Sequence, residues 1–309
     1  MIDVGLVLPE FALLVLGVVL RRWAWRSPQF WVDLERLVYL VLFPVLLVRT
    51  TLAADLGAAG AGTVLLAALG ATGVGALVAA AVWLLPGADR STAASGWQTA
   101  FRFNSYLALA LVDDGGPAAV ALMGVLLGVS VPVVNVLAVS ALAHGAPAPA
   151  GEEHRRSAGL RLLTAVVGNP LILATAAGLA GNLAGVTLPE TVDATASRLA
   201  AAAVPLGLLT VGAALRSAWP ERGRRLVSAH LALVKLVVVP AAALGLATVL
   251  GVVGEQRAVL LAFAAVPPAT ASYVLTARMG GDGPFVAAQL SLTTLAAMLT
   301  LPLWLSLIG

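Results

Sequence analysis

Apolar and polar positions alternate along this chain in long blocks, without the short periods of a soluble helix or strand. Ten apolar runs lie close to the ~20 residues that a membrane-spanning helix requires. They are Val4–Leu20, Leu34–Leu52, Gly60–Leu85, Ala93–Val112, Pro117–Leu142, Leu160–Leu183, Val192–Leu215, Leu226–Val249, Ala258–Ala277 and Pro284–Ile308. The longest polar stretch, His144–Arg156, holds Pro147, Pro149, Glu152, Glu153 and Arg155 and parts five runs from five. The pattern predicts a first five-helix unit over 1–143, a linker over 144–159 and a second unit over 160–309. A second regularity agrees with that division. Pro9, Gly17 and Pro44 recur as Pro170, Gly178 and Pro205, each at an offset of 161 residues. Five is an odd number of spans, so the two copies would face opposite ways, as in the inverted repeats of secondary transporters.

Composition removes the soluble alternatives. Apolar residues are 60% of the chain, charged residues 11%, and mean hydropathy is +0.99. Soluble domains carry about 25% charged residues, so this is an all-α integral membrane protein. Cysteine is absent, which excludes disulfides, thiolate metal sites and a cysteine nucleophile. The net charge of +3 comes from loop arginines, which set orientation; no nucleic-acid partner is expected. After the odd-numbered runs come 13 arginines, against Arg49, Arg198 and Arg257 on the other side. The positive-inside rule then places both termini outside the cytoplasm, in a multi-pass inner (plasma) membrane protein. Asp3 stands where a basic signal-peptide region belongs, so the first run is read as a retained span.

Ionisable and polar residues inside spans are costly, and each is a site hypothesis. The fourth run contains Arg102, Asn104, Ser105 and Tyr106 at mid-depth. An arginine and an amide there can hold a carboxylate through charge-assisted hydrogen bonds, or serve as helix–helix contacts. The ninth run carries Pro267-Pro268, followed by Thr270 and Ser272. Two consecutive prolines remove backbone donors and predict a broken or strongly kinked helix. The 161-residue offset maps Pro267 onto Tyr106, which pairs the two interruptions. Asn135, Asn169, Lys235 and Gln289 are candidate pathway residues; for Asn135, Asn169 and Gln289 interhelical hydrogen bonding is the favoured role, and Lys235 either snorkels or pairs inside. His230 reads as packing, Glu10 as interfacial, Asp113-Asp114 as part of an outer loop rather than a metal pair, and Gly70, Gly73 and Gly75 as close helix packing. No phosphate loop, metal-ligand cluster or nucleophile elbow is present, so no cofactor is expected.

The run Phe103-Asn104-Ser105-Tyr106-Leu107-Ala108-Leu109-Ala110 resembles the auxin efflux carrier family, within the bile-acid, arsenite and auxin transporter superfamily. So do Val131-Pro132-Val133-Val134-Asn135, Asn169-Pro170, Val204-Pro205-Leu206 with Gly212-Ala213-Ala214-Leu215, and Leu299-Thr300-Leu301-Pro302-Leu303-Trp304. The resemblance implies ten transmembrane helices in a 5+5 inverted repeat. A scaffold of helices 1, 2, 6 and 7 would carry a transport domain of helices 3–5 and 8–10, with substrate at crossed, interrupted helices 4 and 9. It further implies elevator-type transport of small organic anions (malate-, malonate- or auxin-like) and a homodimer through helices 2 and 7. Relatives carry a Gly-x-Pro after the helix 4 asparagine where this chain has Ala108-Leu109-Ala110, leaving open whether helix 4 bends around Asn104 or breaks. A sodium-coupled symporter of the bile-acid type is the alternative, disfavoured because helix 9 lacks an acidic residue. A channel fits paired midplane breaks less well, and a membrane-embedded enzyme has no catalytic motif to rest on.

Overall fold

A computed structural model describes residues 8–53, 60–113, 115–145, 170–215 and 221–307. Every regular element among them is helical. In chain order these are α1 (Leu8–Val19), α2 (28–53), α3 (Ala61–Leu84), α4 (Arg90–Trp97) and α5 (Ser105–Asp113). There follow α6 (Pro117–Gly145), α7 (Pro170–Leu183), α8 (Glu190–Ala214), α9 (Arg222–Val249), α10 (Gly254–Ala265), α11 (Ala271–Arg278) and α12 (Gly283–Ser306). Helix occupies part of every predicted apolar run, and the fourth and ninth runs are each split in two. Among the described residues α3, α6, α8, α9 and α12 are uninterrupted, long and apolar enough to cross a membrane. Most of the predicted linker, the end of helix 6 that holds Asn169, and Asp114 lie outside the described residues.

The exterior is unusually apolar, and a few polar side chains lie buried in an otherwise hydrophobic core. Leu66, Leu77, Leu84, Val249, Leu299 and Leu303 are exposed, while Gln98, Arg102, Asn104, Lys235 and Gln289 are buried. In a bilayer the apolar exterior costs nothing, and the polar groups are sheltered where protein can satisfy them.

Prolines shape the helices through the hydrogen bonds they cannot make. The π-turns Val38–Leu42 and Val234–Val238 end just ahead of Pro44 and Pro240. There the missing proline N–H interrupts the α-helical ladder and the chain widens by one residue to continue. Pro240 leaves the Leu236 carbonyl without its donor, and the Trp304 indole supplies one at 2.8 Å.

One set of helix contacts joins α1 to α8, α2 to α7 and α2 to α8, and another joins α3 to α9 and α10, α4 to α6 and α12, and α10 to α6 and α12. The contacts α2–α6, α6–α7 and α5–α8 link the two sets. The contacts α1–α8 and α2–α7 are exchanged when each helix is replaced by its partner in the predicted repeat. They coincide in detail. A side chain on Gly17 would run into the backbone carbonyl of Leu209, and one on Gly178 into that of Val48, at 2.9 Å. Both pairs are separated by the same 161-residue offset. Gly70 and Gly75 likewise face Leu246 and Val239 across the α3–α9 contact, whereas Gly73 has open space beside it and is not a packing glycine.

At the arginine-rich end, Asp89 and Asp282 cap the starts of α4 and α12 by accepting from the Thr92 and Phe285 amides. Arg224, in the first turn of α9, binds both carboxylates, Asp89 at 3.2 Å. Thr92 donates to Asp282 at 2.8 Å, so three helix starts are tied together. The Thr92 amide holds the Asp89 carboxyl below the usual carboxylate range. Because the folded-state value is depressed, this cap contributes fully at neutral pH and weakens only as pH falls below about 3.8.

Gly17→Val and Gly178→Val should each lower stability in detergent by about 1–3 kcal/mol, the usual cost of overpacking a close contact. Gly73→Ala should leave the melting midpoint unchanged or slightly raised. Equal melting of all three variants would remove the glycine contacts as the constraint on helix approach.

Candidate functional site

The two split runs meet at their breaks. α10 ends at Ala265, and Val266 is extended (φ −64°, ψ 148°), as a residue preceding proline is driven to be. Pro267 and Pro268 follow without backbone donors, and helix resumes at Ala271. Its first turn closes through the Ser272 amide on Ala269 and the Tyr273 amide on Thr270, both at 3.0 Å.

The other break has no proline. α4 tightens into a 3-10 turn over Gln98–Ala100, and residues 101–104 leave the helix before α5 begins at Ser105. Helix 4 is thus fully interrupted. The reason lies in Asn104. Its side-chain oxygen accepts the amides of Tyr106 and Leu107 at 3.1 and 3.2 Å, starting a new helix instead of continuing the old one. Its own backbone N–H donates to the Pro267 carbonyl at 2.8 Å. That bond joins the breaks directly. Phe103 packs on Phe263 across the same junction with ring centroids 4.4 Å apart. Tyr106 stacks on Phe43 of α2 at 4.7 Å, with Gly207 of α8 beside both rings.

A buried polar chain crosses between the breaks. Arg102 Nη1 donates to Gln98 Oε1 at 3.4 Å, and Gln98 Nε2 donates to Thr276 Oγ1 at 2.9 Å. Thr276 then donates to the Ser272 carbonyl at 2.8 Å. Three buried side-chain groups on these segments have no hydrogen-bond partner among the described residues: Arg102 Nε, Asn104 Nδ2 and Ser272 Oγ. Each can donate, and the first two can only donate.

The remaining predicted residues separate. Pro267 and Pro268 are buried in the break itself, while Ser105, Tyr106 and Thr270 are half-buried around it. Lys235 does not snorkel: it is buried and donates to the Ala264 carbonyl at 3.1 Å. Gln289 forms a strut between α12 and α9, donating to the Ser228 carbonyl at 3.2 Å and accepting from its hydroxyl. Asn135 is half-buried on α6, and Asn169 lies outside the described residues. A cavity of about 340 Å³ lies elsewhere, lined by Trp83, Arg90, Trp97, Leu137 and Ser140, with none of the predicted residues in its wall. Gln98 and Thr276 were not anticipated. Gln98 stands four residues before Arg102, a spacing that places two polar side chains on one helical face and was there to be read.

A protein helical throughout its described elements, with a largely apolar exterior and several long apolar helices, is a multi-pass membrane protein. Residues 117–305, more than half of the 309, match the membrane transport protein family, to which the auxin efflux carriers belong. The chain is a member of that family, whose proteins are transporters and not enzymes. Comparison with curated proteins gives no match.

Gln98→Leu should strand both the Arg102 and Thr276 partners. A loss of about 1–3 kcal/mol in unfolding free energy is expected, the cost of unsatisfied buried polar groups. Chemical or thermal melting of the purified variant measures it; a melting curve matching the unsubstituted protein would mean that the chain of bonds is not structural.

Proposed function

We propose that this transporter carries small organic anions, carboxylates of the malate, malonate or auxin kind, across the plasma membrane. The observation that carries this reading is the surplus of buried donors at the crossing. Arg102 Nε, Asn104 Nδ2 and Ser272 Oγ lie on or beside the breaks without acceptors. An ionised carboxylate is acceptor-only and complements such a set, whereas a cation or an amine would meet like chemistry. The starts of α5 and α11 add two helix N-termini, whose positive ends favour an anion. Arginine suits the role because its planar fork binds a carboxylate through two hydrogen bonds.

The mechanism is an elevator-type alternation of a transport domain on a scaffold. In this reading the protein has ten spans in a 5+5 inverted repeat with both termini outside the cytoplasm. The matched Gly17–Leu209 and Gly178–Val48 contacts support the repeat. The α1–α8, α2–α7 and α2–α8 contacts support a scaffold of α1, α2, α7 and α8, and dimerisation through α2 and α8 belongs to the same reading. The direct bond from Asn104 to Pro267 favours the two breaks moving as one body.

Carboxylate uptake into vesicles reconstituted with the protein tests the substrate class. Arg102→Ala should reduce it to background, and Arg102→Lys should restore only a fraction, since lysine loses the bidentate geometry. Asn104→Asp is the sharper variant. It keeps an oxygen to cap α5 but replaces the Nδ2 donor with negative charge, so helicity should persist while anion binding is lost. Normal carboxylate uptake by Arg102→Ala would overturn the anion site.

A further inference from the structure

Pro267 and Pro268 do more than bend the ninth segment. In an unbroken helix the amide of residue 267 would bond to the Phe263 carbonyl and that of 268 to the Ala264 carbonyl. Proline has no amide hydrogen, so both carbonyls at the end of α10 lose their partners. They also form the negative end of that helix, and together the two effects make a place for a cation. Half-helix carboxyl ends of this kind coordinate monovalent cations in transporters with discontinuous helices.

Here the Ala264 carbonyl is taken by Lys235 Nζ at 3.1 Å. Lys235 lies within the π-turn Val234–Val238 of α9 and is 1% exposed. No acid balances its charge among the described residues. The elements packed against this turn are α3, α12, α10 and the 3-10 turn that ends α4. α3, α12 and that 3-10 turn contain no titratable side chain. α10 carries only Glu255 and Arg257, in its first turn and at the far end from Ala264. His230 lies on the helix of Lys235 itself, five residues earlier, with Arg224 and Arg225 at its start. A lysine buried without an acid is costly. Its observed partner is a backbone carbonyl, the kind of oxygen that would ligate a free monovalent ion.

We propose that the Lys235 ammonium is a tethered cation that fills the ion site at the end of α10, so that the carrier needs no free alkali cation to hold its broken helix. This inference rests on the transporter reading for its meaning, but its test does not. Lys235 is the single lysine of the chain, so its replacement leaves no other ammonium of this kind.

The experiment is the thermal melting of purified protein, titrated with ammonium, sodium, potassium or tetramethylammonium chloride at constant ionic strength. Lys235→Ala should melt below the unsubstituted protein and recover saturably with ammonium, by roughly 2–4 °C, as a specifically bound ligand stabilises the folded state. A smaller response to sodium or potassium is also expected. Tetramethylammonium, which has no N–H donor, should give none. Lys235→Met fills the same volume without charge and should not respond to any of the four, nor should the unsubstituted protein. If Lys235→Ala survives purification only in ammonium, its melting on ammonium removal is the readout. An alanine variant indifferent to ammonium and alkali ions would overturn the proposal, as would an unsubstituted protein stabilised equally by sodium. Carboxylate uptake measured in parallel keeps the two readings apart: a cation response without any uptake would retain the tethered ion and reject the anion carrier.

Discussion

In hydrocarbon, a backbone carbonyl deprived of its amide partner has no water to turn to. Around Pro240 and the Pro267-Pro268 pair the protein meets that constraint with partners from other helices. Pro240 frees the Leu236 carbonyl, and the Trp304 indole from α12 takes it. Pro268 frees the Ala264 carbonyl, and Lys235 from α9 takes it. The Pro267 carbonyl receives the amide of Asn104. Each repair is made by a different helix, so satisfying the backbone also assembles the bundle. The break in α10–α11 is held open by partners that would be lost if the helix closed.

The same constraint explains why chemistry collects at the crossing. Breaking two helices leaves backbone groups that must be sheltered in protein, and sheltering them creates a buried polar zone between α4, α5, α10 and α11. Once that zone exists, Gln98, Arg102 and Thr276 can be buried within it by bonding to one another. What is left over is donor capacity on Arg102, Asn104 and Ser272. The electrostatics of the site thus follow from its backbone: helix starts point in, donors outnumber acceptors, and Lys235 balances the opposite helix end. Small residues do the complementary work away from the site. Gly17 and Gly178 let α1–α8 and α2–α7 approach to backbone distance, where a side chain of any size would wedge them apart.

Much of this was legible in the residues themselves because it depends on local chemistry. Run length and hydropathy require membrane burial, since no soluble fold can cover so much apolar surface. Pro267-Pro268 breaks its helix wherever it is placed, because the missing donors are covalent facts. The recurring Pro–Gly–Pro spacing was visible along the chain, and Arg102 and Asn104 stood out because polar groups are rare in such runs. The tertiary structure decided what depends on partners distant in sequence. Helix 4 breaks fully without a proline because Asn104 caps the next helix and bonds to a segment from the other half of the chain. Gln98 joins the site through Thr276, 178 residues away. Lys235 could have reached for the interface or turned inward, and its own sequence neighbourhood does not choose. The choice was made by a carbonyl on another helix, left without a donor by a proline that the sequence displays but whose geometry only the fold completes.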